Sequence, residues 1–318
     1  METVDVHQHL LGEPLVAELA RRPEAPMLRQ RRGGWTFRVA GEPDTFLAAA
    51  AIDADLRTEE LRREEIDRAL VALSTALGVE SLPGEEAAPL LAAHQLTLEA
   101  LPDHFGGWGA VQLEAPDPTE VDAALARGCV GLALPAAALA DPNQIERLGP
   151  LLARLERHEA PLFVHPGPVA GPGWAPPRPP AAASLPPWWP ALTDYVAQMQ
   201  AAWFAFLHAG RHAHPRLRVL FAMLAGGAPL QLERYAARAG TAVPAPDPLV
   251  FYDTSSYGPR MLQAMVAVVG SGQLVYGSDR PVVGARAPRR GDALGRALLS
   301  ANPHRLLTRE PQGDRHES

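Results

Sequence analysis

The chain contains no lysine: all 29 of its basic residues are arginine. That absence excludes Schiff-base chemistry, which needs a lysine amine as nucleophile. It also excludes a carboxylated lysine bridging two metal ions, so any metal site here is expected to be mononuclear. Cysteine is nearly absent too. Cys129 stands alone. It cannot form an intramolecular disulfide, which fits a reducing cytosol and a cytoplasmic location. No apolar run reaches the roughly 18–20 residues that span a bilayer, so no membrane association is expected. The chain opens without the basic segment and apolar stretch of a signal peptide. A formal charge of −7 and scattered arginines offer nucleic acid no basic face. No Gly-x-Gly-x-x-Gly element follows the first strand, which weighs against a dinucleotide-binding open sheet.

What remains is an α/β pattern. In 318 residues, 47% of them apolar, short β-rich runs alternate with longer helical ones. Eight strands are expected to begin near Thr3, Ala69, Gly109, Cys129, Pro161, Leu217, Leu249 and Gln273. Thr58, Asp117 and Asp141 are candidate N-caps of the helical runs 59–68, 118–127 and 142–158, the last two with proline at the first helical position. Eight strand–helix units predict one (β/α)8 TIM barrel over residues 1–318, with a doubly wound open sheet as the alternative. The first and fifth strand-to-helix connections, about 10–57 and 166–190, far exceed the usual two to six residues. The first contains Trp35-Thr-Phe-Arg-Val39, whose alternation suggests a small β-hairpin. The second holds ten prolines in 25 residues together with Trp174, Trp188 and Trp189, and suits a substrate lid or a packing surface, a homodimer contact included.

Three strands end in metal-ligand residues. In Val4-Asp5-Val6-His7-Gln8-His9, period-two alternation turns His7 and His9 to one side. Pro161-Leu-Phe-Val-His165 and Gln273-Leu-Val-Tyr-Gly-Ser-Asp279 end in an imidazole and a carboxylate. A barrel gathers such strand tops around one axis. Three imidazoles and one carboxylate suit one divalent cation, zinc or else manganese. A cation of this kind acidifies a bound water and polarises a substrate oxygen.

These elements resemble the amidohydrolase-2 branch of the amidohydrolase superfamily, which includes aminocarboxymuconate-semialdehyde decarboxylase and related metal-dependent hydrolases and decarboxylases. The resemblance covers nearly the whole chain. It rests on Val4-Asp-Val-His-Gln-His9, Val164-His-Pro-Gly167, Arg218-Val-Leu-Phe-Ala-Met-Leu-Ala-Gly-Gly227, Tyr276-Gly-Ser-Asp-Arg-Pro281 and Asn302-Pro-His-Arg-Leu-Leu307. It implies a (β/α)8 barrel with a zinc-like ion held by His7, His9, His165 and Asp279. One position departs from the family. Where strand six ends in a histidine that acts on the water, this chain has Met223, and a thioether takes no proton at neutral pH. Met223 is then expected as apolar lining of a substrate pocket.

Carboxylates at strand tops are the candidate replacements for that base: Glu114 after strand three, Asp253 after strand seven, or the ligand Asp279 itself. Hydroxyls in Tyr252-Asp-Thr-Ser-Ser256 are candidates for substrate binding. Arg280, Arg286 and Arg178 are candidates for holding a substrate carboxylate. Trp174, Trp188 and Trp189 are candidates for an aromatic wall. The expected activity is hydrolysis or decarboxylation of a small carboxylate-bearing organic molecule. The alternative is a small-molecule-binding or regulatory protein that has lost turnover through the Met223 replacement.

Overall fold

The computed structural model describes residues 1–39, 44–167, 186, 188–284 and 287–308. Its centre is a sheet of eight parallel strands: β1 (Val4–Gln8), β5 (Arg68–Val71), β6 (Phe105–Gly109), β7 (Cys129–Pro135), β8 (Leu162–His165), β9 (Val219–Phe221), β10 (Val250–Asp253) and β11 (Leu274–Val275). Beyond β11 the chain runs on along β1. Val6 N–H donates to Tyr276 O at 2.9 Å, Asp279 N–H to His7 O at 2.9 Å and His9 N–H to Arg280 O at 2.6 Å. A parallel bridge joins Gln8 and Arg280. These bonds close the sheet into a (β/α)8 barrel, as the eight-unit alternation predicts, and exclude the open sheet. Asp5 also fastens the seam, accepting from Ser278 N–H at 3.0 Å, His7 N–H at 3.2 Å and the Gln8 amide at 2.7 Å.

The strands read as nearly continuous apolar runs because both faces are covered, by helices outside and by packed side chains inside. Phe163, Phe221, Phe251, Leu70 and Trp108 are fully buried. Trp108 spends its indole N–H on Val6 O at 3.0 Å, so a large side chain fills the barrel without an unpaired donor. Among the described residues no helix is long and apolar enough to cross a membrane.

Several boundaries differ from expectation. The third strand starts at Phe105, ahead of Gly109. Its sequence, Phe-Gly-Gly-Trp-Gly, has no β-branched residue to announce a strand, and packing requires the glycines: a Cβ on Gly107 would lie 2.3 Å from the Leu98 side chain. The helical run 142–158 is two helices, Pro142–Arg147 and Gly149–Arg157, broken just ahead of Pro150, which lacks the N–H to continue the donor series. Asp141 caps the first, accepting from Asn143 N–H and Gln144 N–H. Thr58 is no cap. The helix begins earlier, at Ala54, and Asp53 caps it.

The first long connection holds more than a hairpin. β2 (Met27–Arg31), β3 (Gly34–Arg38) and β4 (Thr45–Ala48) form a three-stranded antiparallel sheet. Gly33, at φ 82°, makes the tight turn between the first two. Trp35, Phe37 and Leu47 pack on Leu15, Leu28, Leu73 and Leu77 in a second apolar cluster.

Candidate metal centre

β1 delivers His7 and His9 to the interior, β8 delivers His165, and the turn after β11 delivers Asp279. The four ligand atoms lie within 4.8 Å of one another. His7 Nε2 is 3.1 Å from His9 Nε2, which is 3.2 Å from His165 Nε2. Asp279 Oδ1 is 3.4 Å from His7 Nε2 and 3.2 Å from His9 Nε2. Bonds of about 2.0–2.1 Å from nitrogen and oxygen to a zinc-like ion imply donor-to-donor separations of about 3.3 Å in a tetrahedron. The set therefore has the spacing of a first-row metal site.

Three further bonds orient the rings. His7 Nδ1 lies 2.7 Å from Asp253 Oδ2, His9 Nδ1 3.0 Å from Ala72 O, and His165 Nδ1 2.8 Å from Thr75 Oγ1. Carboxylate and carbonyl can only accept from a ring N–H. The Thr75 hydroxyl donates to Pro166 O at 2.7 Å and so accepts as well. With every Nδ1 donating outward, three Nε2 lone pairs face one point. Asp279 Oδ1 is buried beside them without a hydrogen-bond partner. Lone pairs at this distance repel unless a cation sits among them, so the donor set fits a divalent metal ion. The field agrees. Burial opposes charge on His7, yet the carboxylates of Asp253 and Asp279 outweigh it and raise the imidazole to about 9, so the centre draws positive charge, which a proton on Nε2 supplies until a metal ion displaces it. His165 is pushed well below its ordinary value, by burial first and then by His7 and His9.

Asp253 stands behind the centre. It is fully buried, and its Oδ1 accepts from Met223 N–H at 3.0 Å and Ser255 N–H at 2.9 Å while Oδ2 holds His7. With its oxygens so engaged it does not face the cavity as a free base; its position is that of a residue orienting His7. Gly277 permits the close approach: a Cβ there would lie 2.9 Å from the His7 Cβ and 3.0 Å from the Asp253 Cβ.

Above the centre is a cavity of about 520 Å³. His7, His9, His165, Asp279 and Met223 form its floor, with Ser255 and Ser256 beside them. The three-stranded sheet supplies Phe37, Phe46 and Leu47 to one wall, with Val39 just beyond β3; Leu192, Tyr195, Tyr257 and Val283 come from elsewhere in the chain. Backbone strain gathers here. Met223, Ser256 and Asp279 have φ of 42°, 68° and 54°, and residues 223–227 make a left-handed turn after β9. Runs of non-glycine residues in this region are rare and concentrate at functional sites.

The other expected residues are placed elsewhere. Glu114 is exposed and accepts from Gly84 N–H at 3.3 Å; the strand ends at Gly109, and the next residues carry Glu114 out over the surface. Arg280 does not line the cavity. Its guanidinium reaches Glu64 on the far side of β1, Nη1 to Oε2 at 3.0 Å and Nη2 to Oε1 at 2.5 Å. Trp188 and Trp189 lie against each other, 55% and 40% exposed, and do not line the cavity. Trp174, Arg178 and Arg286 fall outside the described residues. Sequence reasoning missed Thr75, although a polar Ser74-Thr75 pair just after an apolar strand was the available signal.

No protein-family model and no curated protein sequence matches the chain. Solved structures do. IDCase of Metarhizium anisopliae superposes with a TM-score of 0.75 at 17% identity, over 96% of this chain and 97% of that one. The chain shares that fold. The 5-carboxyvanillate decarboxylase of Novosphingobium aromaticivorans, with bound manganese, gives 0.70 at 15% identity over 96% and 97%. A structure described as an amidohydrolase II gives 0.71 at 20% identity over 97% and 100%.

Proposed function

We propose that the chain is a mononuclear metal-dependent carboxy-lyase, removing carbon dioxide from an organic acid. The observation that carries this reading is the composition of the floor. Three Nε2 lone pairs and an unpartnered Asp279 oxygen converge on one point. Beyond that ligand set, the described lining contains no further imidazole, carboxylate, arginine or lysine. Met223 stands where hydrolysis would want a base to take a proton from water. Decarboxylation makes no such demand. It breaks one carbon–carbon bond, leaves the electron pair on the substrate carbon, and needs one proton delivered there. A divalent ion, zinc or manganese, would supply Lewis-acid polarisation of substrate oxygens. His7, His9 and His165 hold their lone pairs toward the reacting region, and Asp279 is the carboxylate able to hold and return the proton. Ser256 is placed to bind polar groups at the floor, while the Ser255 hydroxyl donates to Asp253 Oδ1. Among the fold neighbours, the decarboxylases of hydroxylated or methoxylated benzoates support the reading, and they stand beside structures described as amidohydrolases.

The test is carbon dioxide release from hydroxybenzoates and unsaturated carboxylic acids by protein loaded with manganese or zinc, run beside lactone and amide hydrolysis. Metal-dependent release from at least one acid is expected. Hydrolysis without any decarboxylation overturns the proposal.

A further inference from the structure

We infer that the substrate carries a single carboxylate at the metal end and an extended apolar body larger than one benzoate ring; this rests on the carboxy-lyase reading. The cavity, about 520 Å³, lies within the range of about 300–1,000 Å³ typical of drug-sized ligands. Its described walls are mostly apolar, with the hydroxyls of Thr45 and Ser74 among them. Phe37 and Leu47 face it from the three-stranded sheet, Val39 from just beyond β3, and Leu192, Tyr195 and Val283 from other segments.

Among the described residues, charge recognition is confined to the floor. No arginine lines the cavity among the described residues, and the two that lie near β1 are engaged elsewhere. Arg57 donates to the Gln8 side chain at 2.9 Å and pairs with Glu60 at 3.1 Å, while Arg280 grips Glu64. Against the described walls a second carboxylate on the substrate would meet mostly hydrocarbon and no cation to replace its water, which is heavily penalised. An alkyl or fused-ring extension would instead remove apolar surface from water on both sides.

The experiment titrates manganese-treated protein with benzoate, 4-butylbenzoate, 4-hexylbenzoate and isophthalate by calorimetry, with bound manganese measured on the same sample. Each buried methylene is expected to tighten binding about fourfold. From benzoate to 4-butylbenzoate the gain should be on the order of 100-fold, and isophthalate should bind no more tightly than benzoate. Leu192→Asp, at an exposed position on the rim, should weaken 4-hexylbenzoate at least tenfold and benzoate much less. A flat alkyl series, or isophthalate binding more tightly than benzoate, overturns the inference even with one manganese bound. A rising series on protein that takes up no manganese upholds the apolar site and removes the carboxy-lyase reading instead.

Discussion

His7 and Asp253, 246 positions apart in the chain, are joined by a hydrogen bond of 2.7 Å between Nδ1 and Oδ2. The bond fixes the proton on Nδ1 and leaves the Nε2 lone pair for a cation. Asp253→Asn keeps the shape but loses the charge, and an amide cannot accept from His7, Met223 and Ser255 as a carboxylate does. Metal affinity is expected to fall about 10- to 100-fold, the usual effect of losing an orienting partner. Metal titration of the variant checks this. Full metal affinity with abolished turnover would make Asp253 a catalytic base instead.

Thr75 does the same for His165 with a neutral group. Thr75→Val leaves His165 Nδ1–H buried with its partner gone, a loss of about 1–3 kcal/mol. Metal affinity should drop, by less than for Asp253→Asn because no charge is removed. Thr75→Ser, which restores the hydroxyl, should recover most of it. A valine variant with parental affinity would show that the ring is held by packing alone.

The parts of this arrangement that were legible in the sequence are those carried by local pattern. Alternation in Val4-Asp5-Val6-His7-Gln8-His9 put both imidazoles on one face, and the apolar run ending at His165 announced a strand top. The orienting contacts were not legible. Asp253 reads as a candidate base until the closed barrel places β10 one strand from β1, across β11, and Thr75 meets His165 across 90 positions. Arg280 misled for a related reason. It follows the ligand Asp279 directly, but the left-handed backbone at Asp279, φ 54°, turns the next side chain away, so its guanidinium reaches Glu64 rather than the cavity.

One divalent ion per chain is expected, because a single ligand cluster lies within the described residues and the chain has no lysine to be carboxylated. Elemental analysis should give close to one equivalent, and a His7→Ala, His9→Ala double variant should lose nearly all of it. Chelation should also lower the melting temperature, since an ion bound to the native state alone stabilises it by mass action. Two tightly bound equivalents, or metal retained by the double variant, would contradict the assignment.

Away from the centre, Glu80 is fully buried with neither carboxylate oxygen hydrogen-bonded, and burial pushes it up to about 8. The folded state therefore holds this proton more tightly than the unfolded chain, whose glutamate titrates near 4.5. Glu80 favours folding least once it must ionise: its contribution is largest below pH 4.5 and declines as pH rises toward 8. Glu80→Gln removes that dependence while keeping the volume. Thermal unfolding should find variant and parent similar near pH 5 and the variant more stable at pH 8.5, by about 1 kcal/mol or more. Equal stability at both values would mean that Glu80 ionises without penalty.

Met223 decides between bond types. Its N–H is tied to Asp253 Oδ1 at 3.0 Å and its side chain lines the cavity floor. Its φ of 42° is uncommon, but histidine is among the side chains that enter left-handed backbone more readily than most. Its volume is also close to that of methionine. Met223→His should therefore fold and place an imidazole over the floor. If the parent lacks a base for water, the variant should gain hydrolysis of an activated lactone or ester, on the scale of about 10²- to 10⁴-fold that a positioned base contributes. Carbon dioxide release should change far less, because that reaction takes no proton from water in its bond-breaking step. Comparing both rates in parent and variant at equal metal occupancy separates the cases. A parent that already hydrolyses as fast as the variant would have its base elsewhere, and Met223 would then no longer favour a carboxy-lyase.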